Sequence, residues 1–153
     1  MCGIAGILGT DRGETASVAE ALAAALNHRG PDDHGVEAVP VGSERRSLTL
    51  IHRRLSIIDL SPLGHQPMTD PDTRNWIVYN GEIFNFLELR RELEAKGDRF
   101  RSGSDTEVIL KLYAAFGLDA LSRLCGMFAL ALWDEARHEL LLAVDPVGIK
   151  PLY

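Results

Sequence analysis

The sequence has 153 residues, of which 46% are hydrophobic and 25% are charged, and its formal net charge is −6. These proportions are typical of one globular domain and exclude a disordered chain. Lys and Arg do not cluster, so a nucleic-acid partner is not expected, because phosphate binding needs concentrated positive charge. A membrane partner is not expected either, since the longest apolar stretches, 128–133 and 140–144, are too short to cross a bilayer.

The cysteine content indicates a reducing compartment and no metal centre. Cys2 and Cys125 are too few for a disulfide framework, and neither lies at a spacing typical of metal ligands. The five histidines share no spacing pattern. The first residues lack a secretory signal, and Cys at position 2 excludes N-myristoylation, which needs Gly there. We therefore expect a cytoplasmic protein with no metal or other cofactor in this segment.

The first half of the sequence predicts short strands around one helix. The apolar start predicts a buried strand, and Ser17 with Glu20 forms a capping-box pattern at the start of a helix that Gly30 and Pro31 end. Pro and Gly then interrupt a long segment, which predicts a functional or mobile loop. The predicted strands are 1–9, 35–39, 47–53 and 56–60, and the predicted loop is 61–75.

The second half predicts two capped helices followed by a β-hairpin. Asn85 and Ser104 each stand three residues before Glu, the capping-box spacing, and Gly97 and Gly117 end the two helices. The other predicted elements are a strand at 75–79, a short helix at 118–124 and a hairpin of 128–133 with 140–145. No internal repeat or interdomain linker interrupts this order, which favours an α+β domain with helices covering the sheets.

Cys2 is a candidate nucleophile because of its place in the chain. Removal of Met1 would leave the thiol and a free α-amine on one residue. An α-amine is partly unprotonated near neutral pH, so it can take the thiol proton directly or through a water molecule. Nucleophile and base would then come from a single residue. Position alone does not distinguish this arrangement from a cysteine that stands there by chance.

Motifs along the whole chain accompany that cysteine. They are CGIAG at 2–6, NHRGPDDHG at 27–35, HRRLSIID at 52–59, QP at 66–67, YNGEIFN at 79–85, GSDTE at 103–107 and DPVGIKPLY at 145–153. Together they resemble the glutaminase domain of the class II glutamine amidotransferases, which are N-terminal nucleophile hydrolases. The resemblance runs the full length of the chain and is greatest to the asparagine-synthetase branch of that family.

This resemblance implies a chemical role for three residues. Cys2 matches the nucleophile that attacks the side-chain amide of glutamine, releases ammonia and leaves a thioester that water hydrolyses. Asn80 and Gly81 match the oxyanion hole, through the Asn side-chain amide and the Gly main-chain N–H. The Asn-Gly pair has an alternative explanation, because the same dipeptide is common in type I′ hairpin turns.

The resemblance also implies a binding site for the charged end of glutamine. Arg54 matches the residue that binds the α-carboxylate, for which a planar guanidinium is well suited. Asp105 and Glu82 match positions associated with the α-amino group, although an acid at Asp105 would also stabilise the first turn of a helix. Main-chain groups expected to line the same pocket are those of Leu55, Ser56, Ile57 and Ile58.

Other positions are expected to be structural. His28 belongs to a family motif and is interpreted as scaffold, and Cys125 is interpreted as a small buried residue. The loop 61–75 matches a segment that covers bound glutamine in the family, with a flexible surface loop as the alternative. One position departs from the family pattern. Val144 stands where Arg is common, so we expect an ion pair or ligand contact on that side to be missing.

The architecture and the wider reaction follow from the resemblance alone. It implies that 1–153 is a glutaminase domain of the four-layer αββα sandwich type, C-terminally incomplete, without the ATP-dependent synthetase domain that follows in the family. L-Glutamine would be the substrate, and ammonia would pass to a synthetase domain that uses ATP and Mg²⁺ to convert aspartate into asparagine. A homodimer is a further expectation. The alternatives are a glutaminase that serves another acceptor and an inactive module that binds a partner synthetase.

Overall fold

The computed structural model describes residues 1–9, 12–41 and 47–153, and within them the chain forms strands and helices in alternating groups. The strands are β1 (Gly3–Gly9), β2 (Asp33–Pro40), β3 (Ser47–Arg54), β4 (Met68–Thr69), β5 (Trp76–Ile83), β6 (Gly126–Asp134) and β7 (Glu139–Val144). The α-helices are α1 (Arg12–Ala25), α2 (Phe86–Ala95) and α3 (Asp105–Phe116), and short 3₁₀ turns lie at Asn27–Arg29, Pro62–Gly64 and Gly117–Arg123.

Two antiparallel sheets pack face to face. One sheet has the strand order β1-β3-β2 and the other has the order β4-β5-β6-β7. Because side chains alternate along a strand, Leu48 and Leu50 of β3 point to the same side, where they pack against Val78 of β5 and Trp133 of β6. This apolar layer between the sheets holds β3 and β5 next to each other, and both strands carry predicted site residues.

Helices cover the two outer faces of the sheets. Ala19 and Ala23 of α1 pack on Ile51, which points away from the other sheet. On the opposite side, α2 and α3 pack on β5 and β6, with Leu93 and Val108 fully buried in that layer. The layers therefore run helix, sheet, sheet, helices. The predicted α+β class and the four-layer αββα sandwich are confirmed.

Three sequence predictions in the first half of the chain are wrong. The capping box at Ser17 does not begin α1, because the helix starts at Arg12 and Ser17 lies inside it. The segment 56–60 forms no strand, because it folds around the Arg54 side chain, which donates hydrogen bonds into it and to the residue that follows. The loop 61–75 is less irregular than predicted, since it contains a 3₁₀ turn and β4, which pairs with β5.

The second half follows the sequence predictions more closely. Ser104 caps α3, because its hydroxyl accepts the N–H of Thr106 at 3.2 Å. Asn85 also precedes a helix as predicted, but its side chain bonds to the main chain of Arg123 and Cys125 instead of capping α2. Gly117 ends α3 with a φ of 59°, a conformation that favours glycine. The predicted hairpin is β6 with β7.

His52 lies between the two sheets with no exposed surface. Its Nε2–H donates to the carbonyl oxygen of Tyr79 at 3.2 Å, which leaves Nδ1 unprotonated. Within the described residues, Nδ1 has no hydrogen-bond partner. Burial lowers the pKa of His52 from 6.5 to about 4, because a protonated ring would have to stay charged in this apolar layer. The folded protein therefore requires the neutral ring.

We predict that the protein loses stability as pH falls from about 6.5 to about 4. The unfolded chain protonates His52 near pH 6.5, whereas the folded protein resists protonation until about pH 4. The stabilisation is fully present above pH 6.5 and is lost on acidification, by about 3 kcal/mol for this shift. Urea unfolding at several pH values measures it. His52→Leu should flatten the dependence, and the exposed His34→Gln should keep it. An equal slope in wild type and His52→Leu would contradict the assignment.

Candidate functional site

Cys2 lies immediately before β1, beside the end of β3. Antiparallel pairing of Gly3 with Arg53 brings the N-terminal segment next to β3. The main-chain N–H of Leu55 donates to Cys2 Sγ at 3.4 Å, and the thiol lies 3.8 Å from the Leu55 carbonyl oxygen, to which it can donate. The side chain is half-buried. The thiol is therefore held in place by the main chain while it remains open to an adjoining cavity.

That cavity lies between the ends of β3 and β5 and the start of α3. The predicted site residues that line it are Cys2, Arg54, Leu55, Ile57, Ile58, Asn80, Gly81, Glu82 and Asp105. Ser56 is the exception, because its N–H turns away and donates to the Asp32 carboxylate at 2.8 Å. Ser56 lines a separate surface cavity together with Asp32. The structure thus brings together the predicted residues except Ser56, while the chemical role of each stays a prediction.

Asn80 and Gly81 lie inside β5, so the type I′ turn explanation for this dipeptide is wrong. They pair with Ala129 and Phe128 of β6. A Cβ at position 81 would lie 2.8 Å from Phe128 Cα, so a residue larger than glycine would push β6 away. Asn80 is 8% exposed and faces the cavity. The pair therefore stands on a rigid strand at the cavity wall, as an oxyanion hole would require.

The Arg54 guanidinium is buried at one end of the cavity. The residue is 7% exposed, and the guanidinium donates to the carbonyl oxygens of Asp59 and Ser61, the latter at 2.9 Å. In the described part of the chain, these two carbonyl oxygens occupy two of the five N–H donors that a guanidinium has. Among the described residues, no carboxylate forms an ion pair with Arg54. A buried guanidinium with neutral partners is suited to binding an anion from solution.

The Asp105 carboxylate lies across the cavity, in the first turn of α3. Its Oδ2 accepts the Tyr79 hydroxyl at 2.8 Å and the Ile83 N–H at 3.1 Å. Burial raises the pKa of Asp105 above its ordinary value, and these hydrogen bonds oppose the shift. The same environment raises the pKa of the Tyr79 hydroxyl, so it stays a donor. A cation entering the cavity would favour the charged carboxylate.

Gln66 lines the same cavity, although the sequence assigns it no role beyond its motif. Its Oε1 accepts the Tyr79 N–H at 2.7 Å, and its Nε2 donates to the Thr106 hydroxyl at 3.1 Å. β4 pairs with β5 only at Trp76 and Ile77. Beyond the end of β4, the Gln66 side chain takes the place of a strand partner for the Tyr79 N–H. Gln66 therefore joins β5 to the start of α3 and helps to hold Asp105 in place.

Lys150 is a second cavity residue that the sequence does not single out. The Asp145 carboxylate accepts main-chain N–H groups from Phe128, Val147, Ile149 and Lys150, which shapes the loop after β7. Burial alone would raise the pKa of Asp145, but these donors outweigh it and hold the pKa at about 2. The loop directs Lys150 into the cavity, where its ammonium lies 2.7 Å from Met1 Sδ.

Three further predictions concern residues away from the cavity. Cys125 is exposed, so its interpretation as a buried residue is wrong, because the turn before β6 reaches the surface. His28 bonds to the Ala25 carbonyl oxygen at 2.9 Å and is not a cavity residue, in agreement with a scaffold role. Val144 pairs with Ala129 at the end of β7 and is 43% exposed. The loop after β7 is held by hydrogen bonds to the Asp145 carboxylate, without a charged side chain at position 144.

Neither a metal centre nor a membrane span is found in the described part of the chain. Within residues 1–9, 12–41 and 47–153, no group of three His, Cys, Asp or Glu residues could hold a metal ion. No described helix is long and apolar enough to cross a membrane. The site therefore consists of a thiol, amides and the charges of Arg54, Asp105, Glu82 and Lys150 around one cavity.

Comparisons with known proteins agree with this geometry. The profile of the glutamine amidotransferase domain family matches residues 1–153. Glutamine-hydrolyzing asparagine synthetase 1 of Bacillus subtilis is 44% identical over all of this chain, and the chain covers 24% of it. Amidase chry2 of Gibberella zeae is 40% identical over all of this chain, with 24% of that protein covered. The chain thus spans about a quarter of the length of these two curated relatives.

Solved structures confirm the fold. The glutamine phosphoribosylpyrophosphate amidotransferase of B. subtilis, solved with ADP and GMP, superimposes with a TM-score of 0.75 at 20% identity. The superposition covers 99% of this chain and 38% of that one. A likeness at this identity concerns the arrangement of sheets and helices. It supports the four-layer sandwich and carries no information about the ligand of this chain.

We predict that Tyr79→Phe destabilises the protein by about 1–3 kcal/mol, because it removes a donor from the buried Asp105 carboxylate. Urea unfolding at neutral pH measures the change. Tyr153→Phe, at a fully exposed position, serves as the matched control and should leave the free energy of unfolding unchanged. If the two variants unfold at the same urea concentration, the Tyr79–Asp105 hydrogen bond does not support this part of the structure.

Proposed function

The chain belongs to the glutamine amidotransferase domain family, and we propose that it hydrolyses the side-chain amide of L-glutamine to glutamate and ammonia. One observation carries the proposal. Cys2, Arg54, Asn80, Gly81 and Asp105, which come from both sheets and from α3, line a single cavity. A thiol, an amide donor, a cation and an anion are the groups that this reaction needs around a zwitterionic amide substrate.

The two charged ends of the cavity suit the two charges on the backbone end of free glutamine. Arg54, which lines the cavity, would bind the α-carboxylate through two parallel hydrogen bonds. Asp105 would accept the α-ammonium, with Glu82 beside it on β5. Arg54 and Asp105 would then fix the α-carbon and direct the side-chain amide toward Cys2.

The chemistry at Cys2 would use its own α-amine once Met1 has been removed. The amine takes the thiol proton, and Sγ attacks the amide carbon to form a tetrahedral oxyanion. The Asn80 side-chain N–H and the Gly81 main-chain N–H would stabilise that charge. Collapse breaks the C–N bond, and ammonia leaves with the proton from the α-ammonium. Water then attacks the thioester, which gives glutamate and restores the thiol.

We further propose that the ammonia passes to a synthetase domain that uses ATP and Mg²⁺ to amidate aspartate. The support is the likeness to a glutamine-hydrolyzing asparagine synthetase and the fact that this chain spans about a quarter of that protein. In this proposal residues 1–153 are the glutaminase domain. The cytoplasmic location and the homodimer stay predictions.

A second candidate keeps the glutaminase and changes the acceptor. It is supported by the likeness to Amidase chry2, whose name specifies no aspartate acceptor and whose identity to this chain is nearly as high. The assembled cavity counts against an inactive module that only binds a partner, because such a module would not need a thiol, a guanidinium and a carboxylate around one space.

We predict that Cys2→Ala abolishes glutamate release from L-glutamine, with a loss of at least about 10³-fold, since the nucleophile is gone. Intact mass should first establish that Met1 has been removed. Cys125→Ala is the matched control, because it removes the other thiol at an exposed position away from the cavity, and it should keep wild-type activity. Equal rates in wild type and Cys2→Ala would refute the mechanism.

A further inference from the structure

The chain between Asp59 and Gly64 wraps around the Arg54 guanidinium. The carbonyl oxygens of Asp59 and Ser61 accept hydrogen bonds from Nη2 and Nη1. Gly64 packs flat against the same group, since a Cβ at that position would lie 2.8 Å from Arg54 Cζ and closer still to Nη2. The orientation of the guanidinium therefore depends on the shape of this turn.

The Asp59 carboxylate fixes the shape of the turn. Its Oδ1 accepts the Ser61 N–H at 2.8 Å, which sets the position of the second carbonyl that holds Arg54. Burial alone would raise the pKa of Asp59, but its hydrogen bonds from Ser61 and Gly103 and the Arg54 charge lower the pKa below its ordinary value. The carboxylate is thus in its charged, accepting form wherever the protein is used near neutral pH.

The same carboxylate also bonds to the segment that precedes α3. Asp59 Oδ2 accepts the Gly103 N–H at 2.8 Å. Gly103 directly precedes Ser104, the capping residue of α3, and Asp105 is the first residue of that helix. One oxygen of Asp59 therefore holds the turn around the guanidinium, and the other holds the segment that positions the buried carboxylate.

We propose that Asp59 is a positioning residue that sets the spacing and angle between Arg54 and Asp105, so that both charges of an α-amino acid are bound together. The inference rests on the proposed function, because it assigns Asp59 to the same pocket. Through Asp59, Arg54 and Asp105 act as one site for a zwitterion. Asp59 touches neither the thiol nor the amide in this role.

The expected defect is in substrate binding. An Asn side chain at position 59 keeps only one acceptor oxygen, so either the Ser61 N–H or the Gly103 N–H loses its acceptor and faces an NH₂ group, and the turn is no longer joined to the segment before α3. A guanidinium that is displaced by a fraction of an ångström relative to Asp105 binds the α-carboxylate less well while Asp105 holds the α-ammonium of the same molecule. KM for L-glutamine should therefore rise while kcat changes little, because the groups around Cys2 keep their places.

Asp59→Asn tests this with two substrates, L-glutamine and glutaramate, which keeps the amide and one carboxylate but lacks the α-amino group. We expect KM for L-glutamine to rise about tenfold or more, with kcat within about threefold. The KM penalty with glutaramate should be clearly smaller, because that substrate does not use Asp105 and no longer needs its spacing from Arg54. Asp119→Asn removes an exposed carboxylate elsewhere and should match wild type.

Gly64→Ala provides a second variant that leaves Asp59 unchanged. Its methyl group would displace the guanidinium, so it should also raise KM for L-glutamine. Gly6→Ala is the matched control, because a Cβ there meets nothing nearer than 3.8 Å. Thermal unfolding of each variant identifies any that is not folded at the assay temperature, and Gly64→Ala tests the premise of the inference, that the placement of the guanidinium controls KM.

An unchanged KM in Asp59→Asn, or an equal KM penalty with both substrates, would overturn the inference. An unchanged KM in folded Gly64→Ala would do the same. These outcomes require that wild type hydrolyses glutamine, so they leave the proposed function standing. A wild-type protein that releases no glutamate from glutamine would instead overturn the proposed function.

Discussion

Two opposite charges, those of Arg54 and Asp105, lie around one cavity without neutralising each other. Arg54 donates to main-chain carbonyl oxygens, and Asp105 accepts from a hydroxyl and a main-chain N–H. Each charged group is therefore buried and hydrogen-bonded to uncharged groups. Neither has an ion-pair partner among the described residues. A cavity arranged in this way is complementary to a zwitterion, because it presents a cation and an anion to one small ligand.

The four-layer sandwich makes this separation possible. Arg54 ends β3 in one sheet, whereas Asp105 begins α3 on the outside of the other sheet, so the two residues belong to different layers of the sandwich. Asn80 and Gly81 stand on β5 between these two positions. Cys2 enters from β1, which pairs with β3. The amide donors therefore lie on a strand, and the nucleophile directly precedes one.

Local sequence signals predicted the second half of the fold well and the cavity loops poorly. Ser104 and Gly117 mark the ends of α3 because capping and positive φ are decided by neighbouring residues. The segment 56–60 has the apolar content of a strand, yet the Arg54 side chain organises it, and that is a tertiary contact. A local pattern does not contain that information, and the Asn80–Gly81 dipeptide was ambiguous for the same reason.

The candidate site was likewise predicted only in part. Of the site residues that the family resemblance implies, all line the cavity except Ser56. The Ser56 N–H donates to the Asp32 carboxylate instead. The resemblance did not single out Gln66, Asp59 or Lys150. Their contacts join segments that are far apart in the chain, such as Asp59 with Gly103. Only the folded structure shows that these polar groups meet.

The most direct test of Cys2 as the nucleophile of a glutamine site is covalent labelling with 6-diazo-5-oxo-L-norleucine, a glutamine analogue with a reactive diazoketone in place of the amide. Peptide mass mapping of the labelled protein measures which residue carries the adduct. We expect an adduct on Cys2, slowed by excess L-glutamine, and none on the exposed Cys125. An adduct on Cys125, no adduct on Cys2, or labelling of Cys2 that L-glutamine does not slow would contradict this role of Cys2.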